Sequence, residues 1–246
     1  MRVLISNDDG IFAPGIAALT KAFAAAGHEV VVAAPDSQRS AASHSLSLGK
    51  PLRVREVELE GAAHAYAISG TPADCVKLAI KKLYPQAEAV ISGVNHGHNI
   101  GTDVLYSGTV AAAMEGSLMG CPAIAVSQAF NREDTYPLAA QMAVEALEKI
   151  RLCPLPPLSV LNLNYPDADE AKGLMPAPLG VLRYLDDYIP STDESGAITY
   201  TLTGHLDPSM PIADDDYSWL MRGYATMTVL NYDMTDSEAT NARKEA

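Results

Sequence analysis

Val3-Leu4-Ile5 forms an apolar run without alternation, broken by Ser6-Asn7-Asp8-Asp9-Gly10, after which apolar residues return at Ile16, Leu19 and Phe23. An unbroken apolar run reads as a strand buried on both faces, and a spacing of three to four as an amphipathic helix. The pattern predicts a strand over 2–6, a helix over 15–26 stopped at Gly27, and a strand over 29–34 closed by Pro35. Strands over 52–57 and 64–68 flank a turn at Gly61. Thr71-Pro72-Ala73-Asp74 opens a helix with capping hydroxyl, proline and carboxylate in their preferred places, and Val76, Ile80 and Leu83 form its stripe. A strand over 89–92 leads into the polar loop Gly93–Asp103. Ser107-Gly108-Thr109 begins a helix with Val110, Ala113, Met114 and Leu118 on one face. A strand over 122–127, a helix over 135–151 with Leu138, Met142, Leu147 and Ile150 inward, and a strand over 158–163 complete the series.

Strands alternating with helices imply a parallel, doubly wound α/β sheet, here over residues 1–165. From about residue 166 the pattern changes. Prolines at 176, 178 and 190 punctuate it, and residues 197–203 and 224–230 alternate as exposed strands do. Residues 166–246 are therefore expected to form an antiparallel β extension, with a polar tail from about 233. Exposed strands of this kind invite pairing with another subunit.

The 246 residues suit one large or two small domains, and 48% are hydrophobic, enough for a core. No apolar run approaches the roughly 18 residues a membrane helix needs, and no secretory leader pattern precedes the first strand. Cys75, Cys121 and Cys153 are few and odd in number, which suits reduced thiols in a cytoplasm. With 17 basic and 30 acidic residues the formal charge is −13. That disfavours polynucleotide binding, which works by neutralising phosphates, but leaves room for a small phosphate ester beside a metal ion.

The residues suited to chemistry all follow strands of the predicted core. Asp8 and Asp9 follow the first, Arg39 and Ser40 the second, and Asn95 and Asn99 the strand over 89–92. Parallel strands put these loops on one edge, where open α/β sheets bind ligands. Adjacent carboxylates repel each other, and a bound cation relieves both. Two carboxylates, a hydroxyl and an amide carbonyl make an all-oxygen set that suits Mg²⁺ or Mn²⁺. Taken singly, Ser40 and Asn95 read equally as an ordinary loop serine and a turn former. The helix start at Ser107-Gly108-Thr109 offers free N–H groups and a positive dipole end to an anion, with plain capping by Ser107 as the alternative. Arg39 is a candidate second phosphate contact or a surface residue. His96 and His98 are either general acids for a leaving alkoxide or loop histidines without a chemical role. No Walker loop, G-x-S-x-G elbow, H-E-x-x-H or G-x-G-x-x-G is present.

These segments together resemble the SurE family of survival-protein nucleotidases. The resemblance rests on Ser6-Asn-Asp-Asp-Gly10 with Ala13-Pro-Gly-Ile16, on Ala34-Pro-Asp36 with Arg39-Ser40, and on Gly70-Thr-Pro-Ala-Asp-Cys75. It extends through Ser92-Gly-Val-Asn-His-Gly-His-Asn-Ile-Gly101, Tyr106-Ser-Gly-Thr-Val110 and Ala112-Ala-Met-Glu-Gly116, and covers residues 1 to about 127. It implies a Rossmann-like three-layer core and a metal-dependent phosphatase acting on nucleoside 5′-monophosphates, with 3′-monophosphates left open. Asp8, Asp9, Ser40 and Asn95 match the positions of the family's metal ligands, for one Mg²⁺ or Mn²⁺ per subunit. Asp8 and Asp9 are also the candidate catalytic residues, one of them accepting a proton or, as the alternative, acting as nucleophile. Asn99 and the stretch Ser107, Gly108 and Thr109 fall where the family binds the phosphate, and Asn7 and Arg39 are further candidate contacts to it. The family further implies a homodimer or homotetramer built by the C-terminal region. Ala41 departs from the pattern, standing where the family usually has glycine, and residues 216–224 resemble it only loosely.

Three rival readings remain from the residues, one of them an oligomeric structural protein with a vestigial site and no metal dependence. A haloacid-dehalogenase-type phosphatase needs Asp-x-Asp after the first strand, but Asn7 occupies the first acid position. A nucleotide-sensing module would bind without releasing phosphate.

Overall fold

The structure, a computed structural model, describes residues 1–130 and 132–243. In chain order, β1 (Arg2–Ser6), α1 (Pro14–Ala25), β2 (Glu29–Pro35), β3 (Val54–Val57) and β4 (His64–Ile68) are followed by α2 (Pro72–Leu78), which widens into a π-turn over Ala79–Leu83. Then come β5 (Ala89–His96), α3 (Gly108–Leu118), β6 (Ala123–Gln128), α4 (Tyr136–Leu152) and β7 (Ser159–Tyr165). The C-terminal part adds β8 (Leu174–Pro176), β9 (Tyr184–Thr192), β10 (Ile198–Leu206), α5 (Asp216–Met221), β11 (Ala225–Asn231) and α6 (Ser237–Ala242).

The main sheet has the order β3-β4-β2-β1-β5-β6-β7-β11-β8. It is parallel except for β3 against β4 and β11 against β7. Its apolar runs have no polar face because both faces are covered. Val3, Ile5, Val30 and Val32 meet α1 and α4, whereas Leu4, Val31 and Val90 meet α2 and α3. The predicted α/β layers are therefore present. The chain moves outward from β1 through β2 in one direction and from β5 through β6 and β7 in the other. The crevice at the β1/β5 junction is the point where doubly wound sheets hold ligands.

Local signals explain the element ends. Gly27 takes φ 82°, the left-handed conformation that stops α1. Thr71 and Asp74 form a reciprocal capping box at the start of α2. Two predicted inward residues are not inward: Leu118 and Leu138 are exposed. Leu118 is the last residue of α3, and Leu138 lies on the solvent side of α4, whose first turns are buried through Tyr136, Ala139 and Ala140. The segment after residue 166 divides its strands. β8 and β11 join the main sheet, while β9 and β10 form a separate antiparallel hairpin. The polar tail carries the short exposed helix α6. Among the described residues, no helix is long and apolar enough to cross a membrane.

Candidate active site

A cavity of about 920 Å³ opens at the β1/β5 junction, lined by Asp8, Asp9, Ser40, Asn95, Asn99 and Ser107 among others. These six residues come from four separate segments of the chain. The β1–α1 loop is fixed by its own asparagine: Asn7 Nδ2 donates to the Gly10 carbonyl at 2.9 Å and Gly10 N–H donates to Asn7 Oδ1 at 3.2 Å. The Arg39 N–H donates to the Asp8 carbonyl at 2.7 Å and joins this loop to the one that follows β2.

Asp8 is buried, and burial, with the nearby Asp9 charge, raises its pKa from 3.8 to about 6 against the opposing Thr109 hydrogen bond. That hydroxyl donates to Asp8 Oδ1 at 2.5 Å. Burial also raises the Asp9 pKa, opposed by the His96 N–H, which donates to Asp9 Oδ2 at 3.1 Å. Neither carboxylate has an ion pair among the described residues, and no Lys or Arg lines the cavity. The Asn95 amide nitrogen donates to the Gly97 carbonyl at 2.7 Å, so its Oδ1 is the group left for a ligand. Asn95 and His96 form the last two residues of β5 rather than a loop. The strand runs four residues further than its apolar stretch because β6 continues to pair with it through Ser127 and Gln128.

Asn99 is anchored on every side. Its N–H donates to Asn164 Oδ1 at 2.9 Å, and its carbonyl accepts from Asn162 Nδ2 at 2.8 Å and Asn164 Nδ2 at 3.0 Å. Its own Nδ2 donates to Ser127 Oγ at 2.9 Å. Asn162, Asn164 and Ser127 were not foreseen. Their signal was Leu161-Asn162-Leu163-Asn164, polar residues inside a strand buried along its whole length.

Several expected phosphate contacts have other partners. The Asn7 amide is fully buried and bonded within its loop. The Arg39 guanidinium is exposed, contacts Asp36 at 3.5 Å and does not line the cavity. Thr109 is fully buried against Asp8. Gly108 is explained by close packing, since a Cβ there would lie 2.8 Å from both Cβ and Oδ2 of Asp8. Ser107 does line the cavity, and its Oγ also caps α3 by accepting from Val110 N–H at 3.0 Å. Ala41 takes φ 53°, so the position does adopt the conformation that glycine favours.

The two histidines differ. His96 Nδ1 shares a hydrogen bond of 3.0 Å with the Tyr136 hydroxyl, and its ring meets Phe130 edge-on. His98 Nε2 donates to the Tyr165 carbonyl at 2.8 Å, and burial lowers its pKa, which keeps the ring neutral. The far wall of the cavity comes from the C-terminal hairpin through Tyr184, Asp186 and Leu202. The Tyr184 hydroxyl donates to Asp103 at 2.5 Å.

The family model described as survival protein SurE matches residues 3–185. The chain belongs to the SurE family. It is 45% identical over 247 residues to 5′-nucleotidase SurE of Synechococcus elongatus, covering 96% of this chain and 95% of that protein. It is 43% identical to the protein of the same name from Desulfitobacterium hafniense, covering 96% and 93%. The crystal structure of the SurE protein from Aquifex aeolicus superposes with a TM-score of 0.84 at 33% identity, over 100% of this chain and 99% of that one. The SurE match thus includes the β1–α1 loop, the Ser40 loop, the end of β5 and the start of α3, the segments that meet at the cavity.

Proposed function

We propose that this SurE-family chain is a metal-dependent phosphomonoesterase that converts nucleoside 5′-monophosphates to nucleoside and phosphate. The observation that carries the reading is the pair of adjacent, unpaired carboxylates, Asp8 and Asp9, on a cavity wall that also holds Ser40 and Asn95. A buried carboxylate without a counter-charge is costly, and this donor set fits a hard divalent cation, Mg²⁺ or Mn²⁺. Among the described residues no three His, Cys, Asp or Glu side chains cluster as a metal site. That agrees with a set in which two of the four ligands are neutral oxygens. We assign one cation per subunit to Asp8, Asp9, Ser40 and Asn95. Relatives that carry the name 5′-nucleotidase support the choice of substrate.

When bound, a divalent cation polarises the phosphoryl group and lowers the pKa of a coordinated water. The chain's own groups place the substrate. The Asn99 side chain and the Ser107 hydroxyl at the positive end of α3 hold phosphate oxygens and stabilise the charge that builds on them. Thr109 keeps Asp8 in one orientation and favours its ionised form. The His96 N–H does the same for Asp9. Among the described residues no Lys or Arg lines the cavity, so the cation is the chief counter-charge there, which favours a monophosphate over more highly charged esters. Asn7 cannot supply an aspartyl-phosphate nucleophile, so nothing favours a haloacid-dehalogenase route.

We also read the chain as a homo-oligomer of two or four copies. Both strands of the β9–β10 hairpin are exposed almost throughout, with Tyr188, Ile189, Ile198 and Tyr200 uncovered, and an isolated two-stranded hairpin is marginal in water. Residues 166–246 would supply that interface. The three free thiols fit a cytoplasmic setting.

The test is phosphate release from a panel of nucleoside 5′- and 3′-monophosphates, with ribose 5-phosphate and nucleoside diphosphates beside them, in Mn²⁺, Mg²⁺ or chelator. Release from monophosphates that chelator abolishes supports the reading. Nucleotide binding without release under any metal would leave a sensing module instead.

A further inference from the structure

Glu115, in the middle of α3, has only 4% of its side chain exposed, yet it faces a half-exposed lysine and a histidine from two other segments. Lys77 Nζ of α2 lies 2.6 Å from Oε1, and His44 Nε2 lies 3.0 Å from Oε2. These two hydrogen bonds hold the Glu115 carboxyl below its usual range, so it stays charged. A buried ion cluster of this kind adds little stability over apolar packing of the same volume. Its position gives it another use.

His44 belongs to the loop between β2 and β3, four residues after Ser40. That loop has no regular structure, and residues 36–41 are exposed. Ala41 and Ser43 sit at φ 53° and 49°, conformations that non-glycine residues keep only where their surroundings impose them. The imposing contacts lie just downstream of Ser40. The Ser43 N–H donates to the Tyr106 carbonyl at 3.1 Å, beside the start of α3. Thr71 Oγ1 donates to the Ser45 carbonyl at 2.7 Å. The Ser47 N–H donates to both oxygens of Asp74 at 3.0 and 3.2 Å. Among the described residues, the His44–Glu115 hydrogen bond is the one from a side chain of this loop to α3, the helix capped by Ser107 and carrying Thr109 in its first turn.

We propose that the His44–Glu115 pair is a positioning device that holds the Ser40 loop at the distance from Asp8 and Asp9 needed for one cation to bind all of them. The proposal rests on Ser40 being a metal ligand, as assigned above. His44 and Glu115 touch neither substrate nor cation; they act through the loop. Outer partners of metal ligands commonly set affinity by about 10–100-fold.

The test is Mn²⁺ affinity of the full chain by titration calorimetry, read with kcat at saturating Mn²⁺ and with urea stability. His44→Ala is expected to weaken Mn²⁺ binding about tenfold or more and to recover most of its kcat when Mn²⁺ is saturating. His44→Gln, which keeps an N–H donor for Glu115, is expected to restore affinity. Lys77→Met also takes a partner from Glu115 but does not touch the loop, and should bind Mn²⁺ within about threefold of the native chain while losing stability. Ser40→Ala is the reference arm. Weak binding in Ser40→Ala with native affinity in His44→Ala overturns the positioning role alone. Equal weakening in Lys77→Met and His44→Ala also overturns it, since disturbance of Glu115 would then be the cause. Native affinity in Ser40→Ala removes the ligand assignment and the positioning role with it.

Discussion

Replacing Asp8 by Asn should make the metal-free protein more stable while it removes cation binding. In the fold, burial and the Asp9 charge raise the Asp8 pKa from 3.8 to about 6. Across that window the unfolded chain has released a proton that the folded chain still holds, so stability falls as pH rises through it and is constant above. At about 1.4 kcal/mol per pH unit, the ionised Asp8 costs the empty fold up to about 3 kcal/mol at neutral pH. Asn is nearly isosteric and uncharged, and its Oδ1 still accepts from Thr109 Oγ1. Urea unfolding in chelator should show Asp8→Asn gaining about 1–3 kcal/mol near pH 7.5, with the gain vanishing near pH 4. Calorimetry should show Mn²⁺ binding lost. A variant no more stable than the native chain near pH 7.5, or a gain that persists unchanged at low pH, would refute the reasoning.

Gly108→Ala places a methyl group 2.8 Å from Asp8 Cβ and Oδ2. Overpacking of about 1–3 kcal/mol and displacement of Asp8 should appear together, as reduced urea stability and weakened Mn²⁺ binding. Gly116→Ala sets a methyl group 2.6 Å from Val90 Cβ, away from the cavity. It should lower stability by about 1–3 kcal/mol, despite alanine's better helix propensity, with Mn²⁺ affinity retained. Thr109→Val deletes the hydrogen bond that lowers the Asp8 pKa. A cation binds only the ionised carboxylate, so the pH of half-maximal Mn²⁺ binding should move upward; an unchanged or lower value would contradict the role given to Thr109.

Much of the fold is legible along the chain because it obeys local rules. Val3-Leu4-Ile5 and Val30-Val31-Val32 have no polar face, and only a sheet covered on both sides gives that pattern. The Thr71–Asp74 box and Gly27 mark helix ends through bonds made within a few residues. What was not legible depends on distant partners. The length of β5 depends on β6 pairing beyond the apolar run. The exposure of Leu138 depends on which side of α4 packs on the sheet, and that of Leu118 on its place at the end of α3. β8 is three residues long and exists because β11 is beside it.

The cavity follows the same division. Asp8, Asp9, Ser40 and Asn95 were readable as hard-oxygen donors placed after parallel strands. Thr109 and Gly108 looked like an anion cradle, since a helix start with glycine is the usual form of one. Only the approach of β1 to α3 shows that they serve Asp8 instead. The charge of Arg39 suits a phosphate, but in the fold its guanidinium lies beside Asp36. The Asn162 and Asn164 clamp needs β7 and the Asn99 loop to meet across 65 residues of chain for Asn164 and 63 for Asn162.

The most direct test is a crystal structure grown with Mn²⁺ and read by anomalous scattering. One Mn²⁺ peak per subunit, at bonding distance from oxygens of Asp8, Asp9, Ser40 and Asn95, is the predicted result. A peak held by other residues, or none in crystals of protein that hydrolyses nucleoside monophosphates, would contradict the account.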